Sequence, residues 1–262
     1  FGKPLISFMN KTDVRQIIFA GVKSDLGSTG VMVAMMAAMA FVAGLPFRKI
    51  MIIGGIIAIG TLLAVSITPY RRDRLATYLH PEADCQTSGY QACQALIAVG
   101  SGGMAGLGLG RSVQAYGYLP EAANDSIFAI YAEKFGFIGS TILLGLFIGL
   151  FSRIKSVAER AADDFHQLIA VGVLAWLSVQ TLINVGAMIG LLPLKGITLP
   201  FISYGGTSVV FVAAAVGLVF QISHYTSFIG RVNAINRRTG SDNRTDGRRI
   251  RGAYHPDPGR RA

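Results

Sequence analysis

The chain has 262 residues, of which 52% are hydrophobic and only 15% are charged, and its mean hydropathy is +0.49. Soluble domains carry about 25% charged residues, so this composition argues against a soluble domain and indicates a protein with several membrane spans. The formal net charge is +10, but residues 231–262 hold nine arginines against three aspartates, so we expect a basic tail and no nucleic-acid partner.

The first 30 residues contain two short apolar stretches separated by Lys11, Asp13 and Arg15. This pattern fits a partial span, an interfacial helix or the edge of a larger protein, and its periodicity does not decide between them. Because the chain begins with Phe1, we predict that residues 1–30 are the remnant of a span in a longer protein.

Five apolar blocks are long enough to cross a membrane as helices, for which about 20 residues are needed. They are residues 31–47, 50–67, 127–151, 168–192 and 208–222. We therefore predict an all-α, polytopic membrane helix bundle over residues 31–226, with a long outward loop, residues 68–126, between the second and third spans.

Basic residues indicate which loops face the cytoplasm. Arg48 and Lys49, the segment 153–160 and the tail fall on one side of the membrane if the five spans alternate. We therefore predict that residues 227–262 form a disordered cytoplasmic tail near anionic lipid. The loops 68–126 and 193–207 then face outward.

The outward loop contains three arginines directly after a span, in the stretch PYRRDR, residues 69–74. These arginines either reach lipid phosphates or form an anion site, since guanidinium groups bind phosphate with two parallel hydrogen bonds. Five acids share the loop: Asp73, Glu82, Asp84, Glu121 and Asp125. A carboxylate beside such an anion site suits glycosyl transfer from a lipid pyrophosphate, although each acid is also able to pair with a neighbouring arginine.

Two cysteines, Cys85 and Cys93, lie in the same loop. Two cysteines alone define neither a disulfide framework nor a zinc site. The outer compartment permits disulfides, so a Cys85–Cys93 bridge and two free thiols both remain open.

Further along, residues 90–99 form a short amphipathic stretch. The glycine-rich stretch GSGGMAGLGLG, residues 100–110, is not a nucleotide-binding loop, because no strand precedes it.

Four polar residues lie inside the later spans: Glu133, Lys134, Gln180 and Asn184. Such groups face the bundle interior or a water-filled cavity. We expect one of Glu133 and Lys134 to point inward and the other to reach an edge. Gln180 and Asn184 share a helix face, where they either hydrogen-bond between helices or line a cavity for a lipid substrate.

The segment 197–208 mixes proline and glycine with hydroxyl side chains, and we predict a re-entrant or outward-facing loop that caps this cavity. It contains Ser203, and Lys195 just before it offers another cation.

Several long stretches then carry a resemblance to a known family. They are YRRDR (70–74), HPEADCQTSGYQACQALIAVGSGG (80–103), GLGLGRSVQAYGYLPEAANDSIFA (106–129) and QTLINVGAMIGLLPLKGITLPFISYGGTS (180–208). From about residue 24 to 225 the chain resembles the SEDS family of membrane peptidoglycan polymerases, which includes FtsW, RodA and SpoVE, and it is nearer the FtsW/SpoVE branch.

The resemblance implies a ten-span fold, of which the five spans here are the last five. It implies polymerisation of lipid II, the undecaprenyl-pyrophosphate disaccharide pentapeptide, at the outer face of the bacterial cytoplasmic membrane and at the division septum. It also implies a class B penicillin-binding protein and other divisome proteins as partners, besides membrane lipid. A lipid II flippase and a catalytically impaired divisome scaffold are the alternatives.

The resemblance also assigns residues. The essential aspartate of the family pattern falls on Asp84, which we predict to be the general base, and Arg71 and Arg74 match its basic pair near the pyrophosphate. His80 and Cys85 replace the asparagine and proline of that pattern, which indicates a divergent member. We predict no metal site and no cofactor from the sequence, and a divalent cation at Asp84 has no support in the residue spacing. The predicted substrate-binding residues are Arg71, Arg74, Glu121, Asp125, Gln180, Asn184, Lys195 and Ser203.

Overall fold

A computed structural model of the chain describes residues 26–67, 85–86, 89–194 and 196–227. Several predictions fall outside this part of the chain. They are the N-terminal remnant, the cytoplasmic tail after residue 227, and the predicted site residues Arg71, Arg74, Asp84 and Lys195.

The described part of the chain is helical, with turns and loops between the helices. The helices are α1 (Leu26–Val42), α2 (Phe47–Ile67), α3 (Tyr90–Ser101), α4 (Ile127–Glu159), α5 (Asp164–Met188) and α6 (Gly206–Ser227), with a short 3₁₀ helix at Gln114–Tyr116. The prediction of an all-α membrane protein is confirmed for the described part of the chain.

Three helices, α4, α5 and α6, are long and apolar enough to cross a membrane, judged by length and composition. The first predicted span, residues 31–47, overlaps α1, which has 17 residues but begins and ends five residues earlier, and the second overlaps α2, which has 21 residues. α1 contains no charged residue, and the only charged residues of α2 are Arg48 and Lys49, which lie in its first turn. Five crossings stay a prediction.

α5 is the central helix of the described bundle. Half of its most apolar stretch is buried inside the protein, against 17% for α4 and 22% for α6. α1 packs on α5, where Gly172 faces Met35 and Met39. The core between α4, α5 and α6 is made of branched and small apolar side chains: Ile154, Val173, Leu177, Val212, Ala215 and Val219. A second core joins α3 to the first two thirds of α4, as far as Phe147, and to the end of α5.

Several helix ends differ from the predicted ones, and the ends of α4 and α5 show why. The third span was predicted to end at residue 151 in a basic loop, but α4 continues to Glu159, because charge ends a membrane crossing without ending a helix. Lys155 and Glu159 lie one turn apart on this extension and form an exposed ion pair at 3.6 Å.

α5 ends at Met188 and not at the predicted residue 192. Gly190 has a φ of 79°, and the amide of Leu191 donates to the carbonyl of Gly186 at 2.8 Å. This is the Schellman arrangement, in which a left-handed glycine closes the helix. The turn directs the following loop back across the end of the bundle.

Candidate functional site

Helix α4 is broken at Gly136, whose φ of 67° and ψ of −164° are not helical. A break leaves carbonyl and amide groups of the adjacent turns without partners inside the helix. The glycine-rich segment after α3 supplies those partners. Four hydrogen bonds join the two segments: Leu107 N to Glu133 O (2.9 Å), Gly108 N to Lys134 O (3.0 Å), Phe137 N to Gly103 O (2.9 Å) and Ile138 N to Met104 O (3.1 Å). Irregular backbone next to a membrane helix is thereby satisfied by protein.

Two glycines of this segment, Gly102 and Gly106, are required by close backbone contact. A Cβ atom at Gly102 would overlap the carbonyl of Ala132, and one at Gly106 would overlap the carbonyl of Lys134. The stretch predicted only as a glycine-rich loop is therefore a packing segment that lies directly on the break in α4.

Glu133 has a buried carboxylate and is only 1% exposed. Its Oε2 accepts a hydrogen bond from Ser112 Oγ at 2.5 Å. Its Oε1 accepts from the amides of Val113 at 2.9 Å and Gln114 at 3.3 Å. Lys134 is partly exposed, so the expectation that one of the two side chains points inward is confirmed.

A second polar cluster joins the end of α5 to two loops, the 121–126 turn and the 196–204 loop. Asn184 is 2% exposed, and its Nδ2 donates to the carbonyls of Asp125 at 2.7 Å and Ile197 at 2.6 Å. One turn earlier, Gln180 Nε2 donates to the carbonyl of Thr198 at 2.8 Å. The shared face of Gln180 and Asn184 thus holds loop carbonyls.

The two loops also bond to each other. Ser203 Oγ donates to the carbonyl of Asn124 at 2.7 Å and accepts from the amide of Leu199 at 2.7 Å. The amide of Tyr204 donates to the carbonyl of Ala123 at 2.8 Å. Each loop is therefore fixed by main-chain contacts as well as by α5.

The structure brings Asp125, Gln180, Asn184 and Ser203 together in this cluster. Glu121 lies at its edge, where it is exposed, has a φ of 52° and accepts a hydrogen bond from Asn124 Nδ2 at 2.6 Å. Because the polar atoms of Gln180 and Ser203 contact main-chain groups, these buried side chains position the loops. Substrate contact by these residues stays a prediction.

We expect Asn184→Asp to destabilise the protein by about 2–3 kcal/mol, because it places carboxylate oxygens against two buried carbonyl oxygens that now accept hydrogen bonds. Thermal unfolding of the detergent-solubilised protein measures this loss. Leu182→Ala, at a neighbouring position that is 69% exposed, is the control and should unfold near the unmodified protein. Equal unfolding temperatures for Asn184→Asp and the unmodified protein would show that these hydrogen bonds contribute nothing.

Cys85 and Cys93 form a disulfide, with their Cα atoms 5.7 Å apart. Cys93 lies in the first turn of α3 and is buried. In the same turn, Gln91 Nε2 donates to Ser126 Oγ at 3.2 Å, directly before α4. The bridge therefore ties residue 85, the neighbour of Asp84 in the sequence, to a helix that contacts the polar cluster.

Sequence reasoning missed the partners of Glu133 and the main-chain role of the glycine-rich segment. The signal in the sequence was a carboxylate inside an apolar helix, which requires donors. Nothing in the spacing indicates that those donors lie near residue 112. Among the residues described, no three His, Cys, Asp or Glu side chains are placed to share a metal ion.

Comparison with known proteins gives consistent results. A family model for FtsW, RodA and SpoVE, described as "Cell cycle protein", matches residues 9–228. The stage V sporulation protein E of Bacillus subtilis is 43% identical over 204 residues, which cover 78% of this chain and 56% of that protein. The probable peptidoglycan glycosyltransferase FtsW of Coxiella burnetii is 40% identical over 208 residues, with coverage of 78% and 56%. The chain thus spans about half the length of these relatives.

Two solved structures share the fold. One, described as showing structural coordination of polymerization and crosslinking by a peptidoglycan synthase complex, has a TM-score of 0.62 and 27% identity, and the match covers 79% of this chain and 57% of that one. The other is a mutant of the rod shape determining protein RodA from Thermus thermophilus, with a TM-score of 0.53, 23% identity and coverage of 79% and 53%.

Proposed function

Because the chain belongs to the FtsW/RodA/SpoVE family of cell cycle proteins, we propose that it acts as a peptidoglycan glycosyltransferase that polymerises lipid II at the outer face of the cytoplasmic membrane during cell division. The observation that carries this proposal is the 40% identity to a relative named probable peptidoglycan glycosyltransferase FtsW. That match extends over 78% of the chain, so it covers most of the bundle.

In the proposed reaction, Asp84 is the general base. It takes the proton of the acceptor hydroxyl while the oxygen of that hydroxyl attacks the anomeric carbon of the donor sugar. The bond from that carbon to the pyrophosphate breaks, and Arg71 and Arg74 stabilise the negative charge of the leaving group. An α-linked donor and a β-linked product require inversion, so a single displacement is sufficient.

The contacts beside this loop support a fixed position for the proposed base and for the neighbouring 121–126 turn. The disulfide restrains residue 85 against α3, and Asn184 and Ser203 hold the turn that carries Glu121 and Asp125. Catalysis by positioned groups depends on such restraint, since a displaced base loses much of its effect. Glu121 and Asp125 are proposed to contact the substrate at the edge of this turn.

We further propose a class B penicillin-binding protein and other divisome proteins as partners at the septum, with the C-terminal tail in the cytoplasm. The shared fold with a peptidoglycan synthase complex described by polymerization and crosslinking supports a crosslinking partner.

The test is to purify the full-length protein with its penicillin-binding partner and to supply labelled lipid II. Glycan chains resolved on a gel are the expected product. Movement of lipid II across vesicles without polymer would favour the flippase. A folded complex that makes no polymer and moves no lipid would favour the divisome scaffold.

A further inference from the structure

Arg111 is an exposed cation at the end of the glycine-rich segment. It directly precedes Ser112, which is bound to Glu133 near the start of α4. Among the described residues of α4 and α5, the other lysines and arginines are the partly exposed Lys134 and three residues at the far end of α4, Arg153, Lys155 and Arg160. Arg111 makes no ion pair with any described residue. Its guanidinium is therefore exposed and has no acidic partner among the described residues.

Glu133 fixes the position of this arginine. Both carboxylate oxygens are used, and their three donors, Ser112 Oγ and the amides of Val113 and Gln114, follow Arg111 in the chain without a gap. The main-chain carbonyl of Glu133 holds Leu107 on the other side of Arg111. A single buried residue thus fixes the chain on both sides of the exposed cation.

We propose that Glu133 is a positioning residue that holds Arg111 where its guanidinium binds the pyrophosphate of the lipid-linked substrate. The inference rests on the proposed function and adds a cation to the predicted Arg71 and Arg74. Guanidinium forms two parallel hydrogen bonds to a phosphate, so its orientation as well as its charge matters. Lipid headgroups carry the same phosphate chemistry, and the experiment separates the two sources.

Glutamine at position 133 is able to replace the carboxylate. Its carbonyl oxygen accepts from the amides of Val113 and Gln114, as Oε1 does now. Its amide nitrogen donates to Ser112 Oγ, which reverses the direction of that bond because a hydroxyl accepts as well as donates. Alanine replaces none of these bonds. A positioning role therefore predicts that Glu133→Gln works and Glu133→Ala does not.

The experiment measures initial rates of polymerisation against lipid II concentration for the full-length complex in nanodiscs of zwitterionic lipid. We expect Arg111→Ala to raise KM about tenfold with little change in kcat, the effect of losing one charged phosphate contact. Glu133→Ala should raise KM to a similar extent, and the double variant should be no worse than either single one. Glu133→Gln should stay within about twofold of the unmodified protein. Lys155→Ala, which removes an exposed cation at the far end of α4, is the control.

Several outcomes would overturn the inference. Additive effects of Arg111→Ala and Glu133→Ala, or a Glu133→Gln variant as impaired as Glu133→Ala, would show that Glu133 does not act by positioning Arg111. A KM effect of Arg111→Ala confined to nanodiscs with anionic lipid would assign this arginine to headgroups. If Glu133→Ala does not fold, Glu133→Asp shortens the side chain by one methylene and withdraws its carboxylate from all three donors, and an unchanged KM for it would reject the role of Glu133. Absence of polymer from the unmodified complex would reject the proposed function itself.

Discussion

Asp84→Asn is expected to lower the rate of lipid II polymerisation by about 10²–10⁴-fold, the usual contribution of a general base. Asparagine has nearly the shape of aspartate but takes no proton from the acceptor hydroxyl. The complex with the proposed penicillin-binding partner should still assemble, because the change is confined to one side chain of the predicted outward loop. Single-turnover rates with labelled lipid II measure the loss.

Glu82→Gln is the matched control, since it neutralises an acid two residues away in the same loop. It should keep most of the activity. Polymer made equally well by Asp84→Asn would refute the assignment of the base. An inactive Asp125→Asn beside an active Asp84→Asn would move the assignment to the 121–126 turn, where the main chain of Asp125 is held by Asn184.

The disulfide gives a physical context to the most unusual feature around Asp84. In the pattern of the family that the chain resembles, a proline follows the essential aspartate, and here Cys85 takes that place. A proline ring restricts the backbone at its own position. A bridge from Cys85 to the first turn of α3 restricts the same position from outside the backbone. The substitution therefore exchanges one restraint on this loop for another.

Composition and apolar runs were sufficient to predict the helical bundle and the approximate position of each helix. Helix ends were less accessible. The extension of α4 to Glu159 carries basic residues, which stop a membrane crossing but are good helix formers. The end of α5 depends on a left-handed glycine at position 190, and one glycine among several in the sequence does not indicate which of them closes a helix.

The site was predictable as a set of residue types but not as a set of contacts. The spacing of Gln180 and Asn184 predicts a shared helix face, which both side chains use. Their partners are main-chain carbonyls, and the carbonyl of Asp125 is 59 residues from Asn184 in the sequence. Every residue has a main-chain carbonyl, so the residue types in the sequence do not indicate which carbonyl accepts a hydrogen bond. The glycine-rich segment also bonds to main-chain groups, those on either side of Gly136. In the sequence, Gly136 is one glycine within an apolar run, and nothing marks it as the place where the helix breaks.

Gly136→Ala is expected to destabilise the protein by about 3 kcal/mol or more. The backbone of Gly136 has φ 67° and ψ −164°, a region that only glycine populates readily. A Cβ atom there would also overlap the amide of Gly106 and the carbonyl of Met104. Alanine favours a continuous helix, and closing the break would remove the groups that now bind the glycine-rich segment. Thermal unfolding in detergent should show a clear decrease, accompanied by loss of polymerisation.

Gly145→Ala is the matched control on the same helix. Position 145 is helical and has no atom within 4 Å of the added Cβ, so alanine should be neutral or stabilise the helix by up to about 1 kcal/mol. The pair separates the cost of the break from a general intolerance of α4 to larger residues. If both variants unfolded at the same temperature as the unmodified protein, the contact between the glycine-rich segment and the break would not support the fold. A stable but inactive Gly136→Ala would instead mean that the break serves activity and not stability, because straightening α4 would displace Glu133 and the chain around Arg111 that it holds.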